Sequence, residues 1–274
     1  MNPYFELNDG NRIPAIGFGT WPMDDDEAHE AVRLALRAGY RLIDTAARYG
    51  NERGVGLGIA DAGVAREDVV LTTKLRGQDQ GFDATLRAFD ESLGKLGTDY
   101  VDLYLIHWPL PRVDKYVDSW KAMLRLKEEG RIRSVGVSNF LPEHVERLRR
   151  ETGVLPAVNQ VELHPDFQQG ALRQAMAALG IVVECWSPLG RGEVLENPVL
   201  ETIARKHGRS VAQVILRWHL QLGLVAIPKS QNPERIRQNL ALGDFALDDG
   251  DMAAIAALDA GRRLGGDPAT YEEF

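Results

Sequence analysis

Four residues at or just beyond the ends of apolar segments have the types needed to move a proton. Asp44 closes YRLID, Tyr49 follows five positions later, Lys74 closes DVVLTTK and His107 closes YVDLYLIH. A phenol ordinarily ionises near about pH 10, and a neighbouring ammonium favours the phenolate. Lys74 is therefore expected to bring the Tyr49 value down and make the phenol a usable donor at neutral pH. Asp44 would hold the ammonium and have its own buried charge compensated by it. A neutral His107 would donate a hydrogen bond to the oxygen that receives the proton. Each residue alone has an ordinary explanation: a cap, a half-buried aromatic, a lysine at a rim, a loop histidine. Together they suit the polarisation and protonation of a carbonyl, and they lack a hydride.

Two further groups address that lack. GVSNF and NQVELHP offer Ser138, Asn139 and Gln160, and CWSPLG offers the aromatic plane of Trp186 with Ser187 beside it. A nicotinamide ring needs an aromatic face to stack on and partners for its carboxamide. IPKSQNPERIRQN carries Lys229 and Ser230 at a strand end, then Arg235, Gln238 and Asn239 on a helix whose expected N-cap is Asn232 followed by Pro233. A phosphate near a helix N-terminus with two cations is favourable, and two cations suit the dianionic 2′-phosphate that distinguishes NADPH from NADH.

The elements that must position these groups alternate regularly. The apolar runs end at Asp44, Lys74, His107, Ser138, Glu162, Trp186 and Pro228, and amphipathic segments lie between them, most followed by glycine. With IGFGT as an earlier short strand there are eight βα units. The pattern predicts a (β/α)8 TIM barrel as a single domain over 1–274, in the α/β class. FELNDGNRIP predicts an N-terminal β-hairpin around Asp9-Gly10 that caps the barrel floor. NPVLETIARKHG and ALDDGDMAAIAALD predict two additional helices, and AGRRLGGDPATYEEF a C-terminal loop without regular structure. An open doubly wound sheet is the rival, but GFGTWP lacks the glycine spacing of a phosphate turn, and the glycines of GVGLGIADAG sit inside an amphipathic stretch.

Composition narrows the function further. With 32 Lys and Arg against 40 Asp and Glu, the net charge is −8, which argues against nucleic acid as a partner. One cysteine, Cys185, permits no intrachain disulfide. The N-terminus lacks a secretory pattern, and no apolar run approaches the roughly 18 residues of a membrane span. A cytoplasmic protein without membrane association is expected. A hydrolase would need a second acid beside Asp44, for which Glu162 is the candidate. A metal site is disfavoured because His107, His144, His164, His207 and His219 show no ligand spacing with acids.

The ordered set LIDTAARYGNE, LTTKL, LIHWP, VGVSNF, NQVELHP, WSPLG and IPKS followed by Arg235 and Gln238-Asn239 resembles the aldo-keto reductases, over about 13–239. The GDPATYEEF tail and compact loops resemble the bacterial members that reduce 2,5-diketo-D-gluconate and similar small carbonyl compounds. The resemblance implies an NADPH-dependent alcohol:NADP+ oxidoreductase acting on aldehydes or ketones, with α-diketones and keto-sugar acids among the candidate substrates. It implies a catalytic tetrad of Asp44, Tyr49, Lys74 and His107 with Tyr49 as general acid. Nicotinamide contacts follow from Ser138, Asn139, Gln160 and Trp186, and pyrophosphate contacts from Ser187 and Leu189. Adenosine phosphate contacts follow from Lys229, Ser230 and Arg235, and an adenine site from Asn239, with Gln238 where many relatives carry glutamate. Trp21, His107 and Trp108 match substrate-pocket positions, and Pro22 stands where some relatives have lysine. The RGEVLENP loop is shorter than the excursion with which relatives clamp the cofactor, so a more open channel is expected. The resemblance favours a monomer. A cofactor-binding redox sensor or scaffold without turnover is the alternative, and it would be favoured by loss of a tetrad member, none of which is lost.

Overall fold

The computed structural model describes residues 3–273. Met1, Asn2 and Phe274, the ends of the expected domain and tail, lie outside them.

The chain opens with β1 (Tyr4–Glu6) and β2 (Arg12–Pro14), an antiparallel pair in which Glu6 faces Arg12. Then β3 (Phe18–Gly19), α1 (Asp25–Ala38), β4 (Leu42–Asp44), α2 (Glu52–Ala60), β5 (Val70–Leu75) and α3 (Phe82–Leu96) alternate. They are followed by β6 (Val101–Ile106), α4 (Tyr116–Glu128), β7 (Ile132–Ser138), α5 (Pro142–Thr152), β8 (Val158–Glu162) and α6 (Gly170–Ala178). The last turn of the pattern is β9 (Val182–Trp186), α7 (Pro198–His207), α8 (Val211–Gln221), β10 (Val225–Ala226) and α9 (Pro233–Leu240), after which α10 (Asp249–Ala256) precedes an irregular tail. The two additional helices expected from the sequence are α7 and α10.

Strands β3 to β10 form one sheet in sequential order, every neighbouring pair parallel. Its edges meet: Gly17 N donates to Ala226 O (2.9 Å), Ala226 N to Ala15 O (3.0 Å) and Gly19 N to Pro228 O (3.1 Å). The result is the predicted barrel.

Local sequence explains the helices that surround it. In α1, Asp24 and Glu27 form a reciprocal capping box, and three acids occupy the first turn against the positive end of the helix dipole. Ala28, Ala31, Val32, Ala35 and Leu36 line one face at helical spacing and are buried against the sheet. The closely spaced glycines of α2 have a packing reason. A Cβ on Gly54 would meet Asp25 O at 1.9 Å, and one on Gly56 would meet Leu96 O at 2.3 Å. Helices α1 and α3 therefore approach α2 closer than any side chain permits.

Period-two alternation decides what faces the barrel interior. Leu42, Leu103, Leu105, Val158 and Val225 form an inner apolar cluster, separate from the layer between sheet and helices. The hairpin seals this cluster from below. Leu7 and Ile13 join it, Asn8 Nδ2 donates to Pro156 O (2.8 Å), and Asn11 Nδ2 donates to Ser134 Oγ (2.9 Å). The same alternation, continued toward the C-terminal strand ends, aims Asp44, Lys74, His107 and Gln160 inward above the apolar layer.

Candidate active site

Four elements deliver the predicted proton-transfer group. Strands β4 and β5 carry Asp44 and Lys74, His107 follows β6, and a single helical turn over Ala47–Tyr49 swings Tyr49 back over them. Asn51 fixes that turn from beneath. It accepts from Thr45 Oγ1 (2.7 Å) and donates to Thr20 O (3.2 Å) and Met23 O (2.9 Å).

The Lys74 ammonium is fully buried and donates to Asp44 Oδ1 (2.7 Å), Thr45 O (2.9 Å) and Tyr49 Oη (3.3 Å). Those contacts use its three protons. Burial alone would strip the amine of its charge, yet Asp44 and Tyr49 keep its pKa above the ordinary lysine value.

For Tyr49 the sequence-based expectation is corrected. Although the side chain as a whole is only half-buried, burial dominates at its hydroxyl and pushes the phenol up to about 12, with Asp44 adding in the same direction. Lys74 does pull the value down, as expected, but it does not win. The single charge of Lys74 offsets only part of the desolvation that a site this deep imposes on the phenolate.

His107 stands on the other side of the phenol, its ring 5.8 Å from that of Tyr49 and edge-on to it. Its Nδ1 lies 2.6 Å from Glu273 Oε1, close enough for an ion pair but not aligned as a hydrogen bond. Glu273 is anchored by its other oxygen, which accepts from Gly77 N (2.7 Å).

The second predicted cluster forms a hydrogen-bonded wall. Asn139, held at φ +62°, donates from Nδ2 to His107 O (3.0 Å) and Ser138 Oγ (3.1 Å), and its Oδ1 accepts from Trp186 Nε1 (2.9 Å). The indole plane is thereby locked. Gln160 Nε2 donates to Asp44 Oδ2 (2.7 Å) and to Glu184 Oε2 (2.8 Å), which uses both of its protons. Ser138 Oγ donates to Gln160 O (2.8 Å).

A cavity of about 1060 Å³ runs past these residues. Asp44, Tyr49, His107, Trp108, Asn139, Gln160 and Trp186 line its deep end, Trp21 and Tyr271 its mouth, and Ser187 and Leu189 its middle. Lys229, Ser230, Arg235, Gln238 and Asn239 line the far end. Lys74 and Ser138 stand behind the wall rather than on it. Trp108 packs on Tyr271 of the tail at 4.3 Å between ring centroids, and the Arg191 guanidinium lies 5.4 Å from the Trp21 ring.

At the far end Asn232 caps α9, accepting from Glu234 N (2.9 Å) and Arg235 N (3.1 Å). Lys229 reaches only Gln231 (3.4 Å), and among the described residues no carboxylate lies within ion-pair reach of Lys229 or Arg235. Two uncompensated cations beside a helix start suit a phosphate.

Glu162, the candidate second acid of a hydrolase, is engaged elsewhere. Its oxygens accept from Leu264 N (2.6 Å) and Gly265 N (2.8 Å) and meet His164 Nε2 (2.9 Å). Against its burial, these partners hold the carboxyl below the usual range. They also tie the tail across the mouth. Sequence reasoning read the tail as a loop without regular structure, and it missed Glu273, Glu184 and Asn51 as members of the site. Asn51 stood inside the quoted YGNE stretch. The contact of Glu273 with Gly77 spans 196 positions and has no local signal.

Comparison with known proteins is consistent with this geometry. The family model described as "Aldo/keto reductase family" matches residues 15–260. An aldo-keto reductase from Mycolicibacterium smegmatis is 55% identical over 99% of this chain and 98% of its own length. The methylglyoxal reductase DkgA of Salmonella typhimurium is 49% identical over 97% of this chain and 96% of its own. Among solved structures, a variant of Gox0644 in complex with NADPH superposes with a TM-score of 0.95 at 48% identity, covering 99% of both chains.

Proposed function

The chain belongs to the aldo/keto reductase family, and on that premise we propose that it reduces small aldehydes and ketones to alcohols with NADPH, using Tyr49 as the general acid. The observation that carries this reading is the continuity of one cavity from the Tyr49–Lys74–Asp44 group to Lys229 and Arg235, cations with no carboxylate in ion-pair reach among the described residues. NADPH, when bound, supplies the hydride.

The chain's residues supply the rest. Lys229, Ser230 and Arg235 hold the 2′-phosphate, Ser187 and Leu189 flank the pyrophosphate, and Gln238 and Asn239 border the adenine. Trp186 offers its locked face to the nicotinamide. Because both protons of the Gln160 amide are engaged by carboxyl groups, that side chain has only its oxygen left, and it accepts from the carboxamide N–H rather than donating to it. Asn139 and Ser138 fix the neighbouring wall.

At the deep end Tyr49 and His107 bracket the substrate carbonyl oxygen. As that oxygen gains charge it becomes more basic than the phenolate, so a phenol near 12 still releases its proton to it. Lys74 stabilises the phenolate that remains, and Asp44 keeps Lys74 charged. Trp21 and Trp108 form the substrate walls, joined by Tyr271 of the tail. The methylglyoxal reductase relative favours α-dicarbonyl compounds as the substrate class, with keto-sugar acids a further group to assay.

NADPH consumption measured against a panel of aldehydes, α-diketones and keto-sugar acids tests the reading. The parent protein should turn over members of the panel, and Tyr49→Phe should bind NADPH without turnover. Tight NADPH binding with no substrate in the panel reduced would overturn it.

A further inference from the structure

Inside the barrel two carboxyl groups, Asp44 of the tetrad and Glu184, share the neighbourhood of one ammonium, that of Lys74. Glu184 is fully buried on β9, and its inward-facing strand neighbours are Val182 and Trp186. On β10 it faces Val225, and on β8 Gln160. The charged groups that face it are Asp44 from β4 and Lys74 from β5, with Tyr49 above them.

Lys74 is already engaged by Asp44, Thr45 O and Tyr49. Among the described residues Glu184 therefore has a single hydrogen-bond partner, Gln160 Nε2 at its Oε2, and its Oε1 has none. A carboxylate there is an uncompensated buried charge, whereas a carboxylic acid is not. Burial first, and the negative charge of Asp44 second, push Glu184 up to about 8.

We propose that Glu184 is a positioning residue for the reduction: as a neutral acid it is joined through Gln160 to Asp44, and its ionisation adds a second carboxylate to that of Asp44 around Lys74, which leaves the ammonium less able to stabilise the Tyr49 phenolate and weakens the phenol as a proton donor. The proposal rests on the reading of Tyr49 as general acid. The sign follows from electrostatics. A phenolate forming beside Lys74 is disfavoured when Glu184 as well as Asp44 is ionised around that ammonium, so the reductive kcat falls as pH rises through the Glu184 ionisation.

Two measurements on the full-length protein test it. The first is infrared difference spectroscopy of the cofactor-free protein across an alkaline titration. The parent should show the C=O stretch of a protonated carboxyl that disappears on titration, and Glu184→Gln should lack it. The second is the pH profile of reductive kcat. In Glu184→Gln the alkaline limb should move up by at least about one pH unit, because the amide stays neutral. Glu184→Leu, which also removes the acceptor for Gln160, should lose more in kcat than in KM, and Glu184→Gln should recover that loss. An unshifted alkaline limb in Glu184→Gln, or a protonated-carboxyl band that survives in that variant, overturns the proposal. A Tyr49→Phe protein that turns over like the parent would instead overturn the reading of the tetrad.

Discussion

The two ends of the cavity are built on opposite terms. At the deep end the donors of Lys74, Asn139 and Gln160 are satisfied within the protein, so the positions of Tyr49, His107 and Trp186 are set before any ligand arrives. At the far end Lys229 and Arg235 are exposed and, among the described residues, lack acid partners. Reaction geometry tolerates little movement, whereas a phosphate needs only charge and a few donors within reach. Satisfaction at one end and the lack of acid partners at the other, among the described residues, match the two roles proposed for them.

Breaking the deep end should give the largest effects. Tyr49→Phe removes the proposed proton donor and is expected to lower reductive kcat by about 10²–10⁴-fold, while the NADPH dissociation constant from fluorescence titration stays within about threefold. An equal loss in kcat and in NADPH affinity would show that the two ends are not separable.

Lys74→Met strands the buried Asp44 charge and should lower stability by about 3–5 kcal/mol, measured by urea unfolding. The matching change at the far end, Arg235→Ala, should leave stability within about 0.5 kcal/mol. Its effect should appear in binding instead. Loss of a charge-assisted hydrogen bond worth about 1.5–3 kcal/mol raises the NADPH dissociation constant on the order of 10–100-fold, with little change for NADH. Equal effects on both nucleotides would remove the 2′-phosphate assignment.

A subtler contrast concerns pH. Burial and the neighbouring Asp44 charge make Glu184 bind its proton more tightly in the folded barrel than an ordinary glutamate does near 4.5, pushing it up to about 8. Between those values the folded state holds more protons than the unfolded state, so stability falls as pH rises through that window. The melting temperature of the parent should therefore decline between about pH 6 and 8 more steeply than that of Glu184→Gln. Identical slopes would place the proton elsewhere.

The frame of the protein was legible because its signals are local. Strand runs of four to eight residues, capping residues such as Asp24 and Asn232, and the spacing of the βα units each report on neighbours in sequence. Asp44, Tyr49, Lys74 and His107 were legible for a related reason, since strand ends of a barrel converge wherever they lie in the chain. Three features were not. Glu184 sits in an apolar run where alternation aims it inward, but only the three-dimensional neighbourhood reveals that Lys74 is already taken. Glu273 and Glu162 act through contacts with residues about a hundred or more positions away, Gly77 for the first and the Leu264-Gly265 backbone for the second. The Tyr49 ionisation was misjudged because residue types name the partners of a charge and leave its depth unstated.

Ring closure has a consequence for how the molecule forms. The Lys74–Asp44 pair joins residues 30 positions apart, whereas the seam that shuts the barrel joins Gly17 and Gly19 to Ala226 and Pro228. Contacts between near residues cost less chain entropy and form sooner than contacts between distant ones. As the chain emerges from the ribosome, the charged pair can therefore meet in water, while both groups are still hydrated, and the interior is dried around a partnership already made. A folding intermediate holding β3 to β6 without the seam should have Lys74 reactive toward amine reagents, and the finished barrel should not.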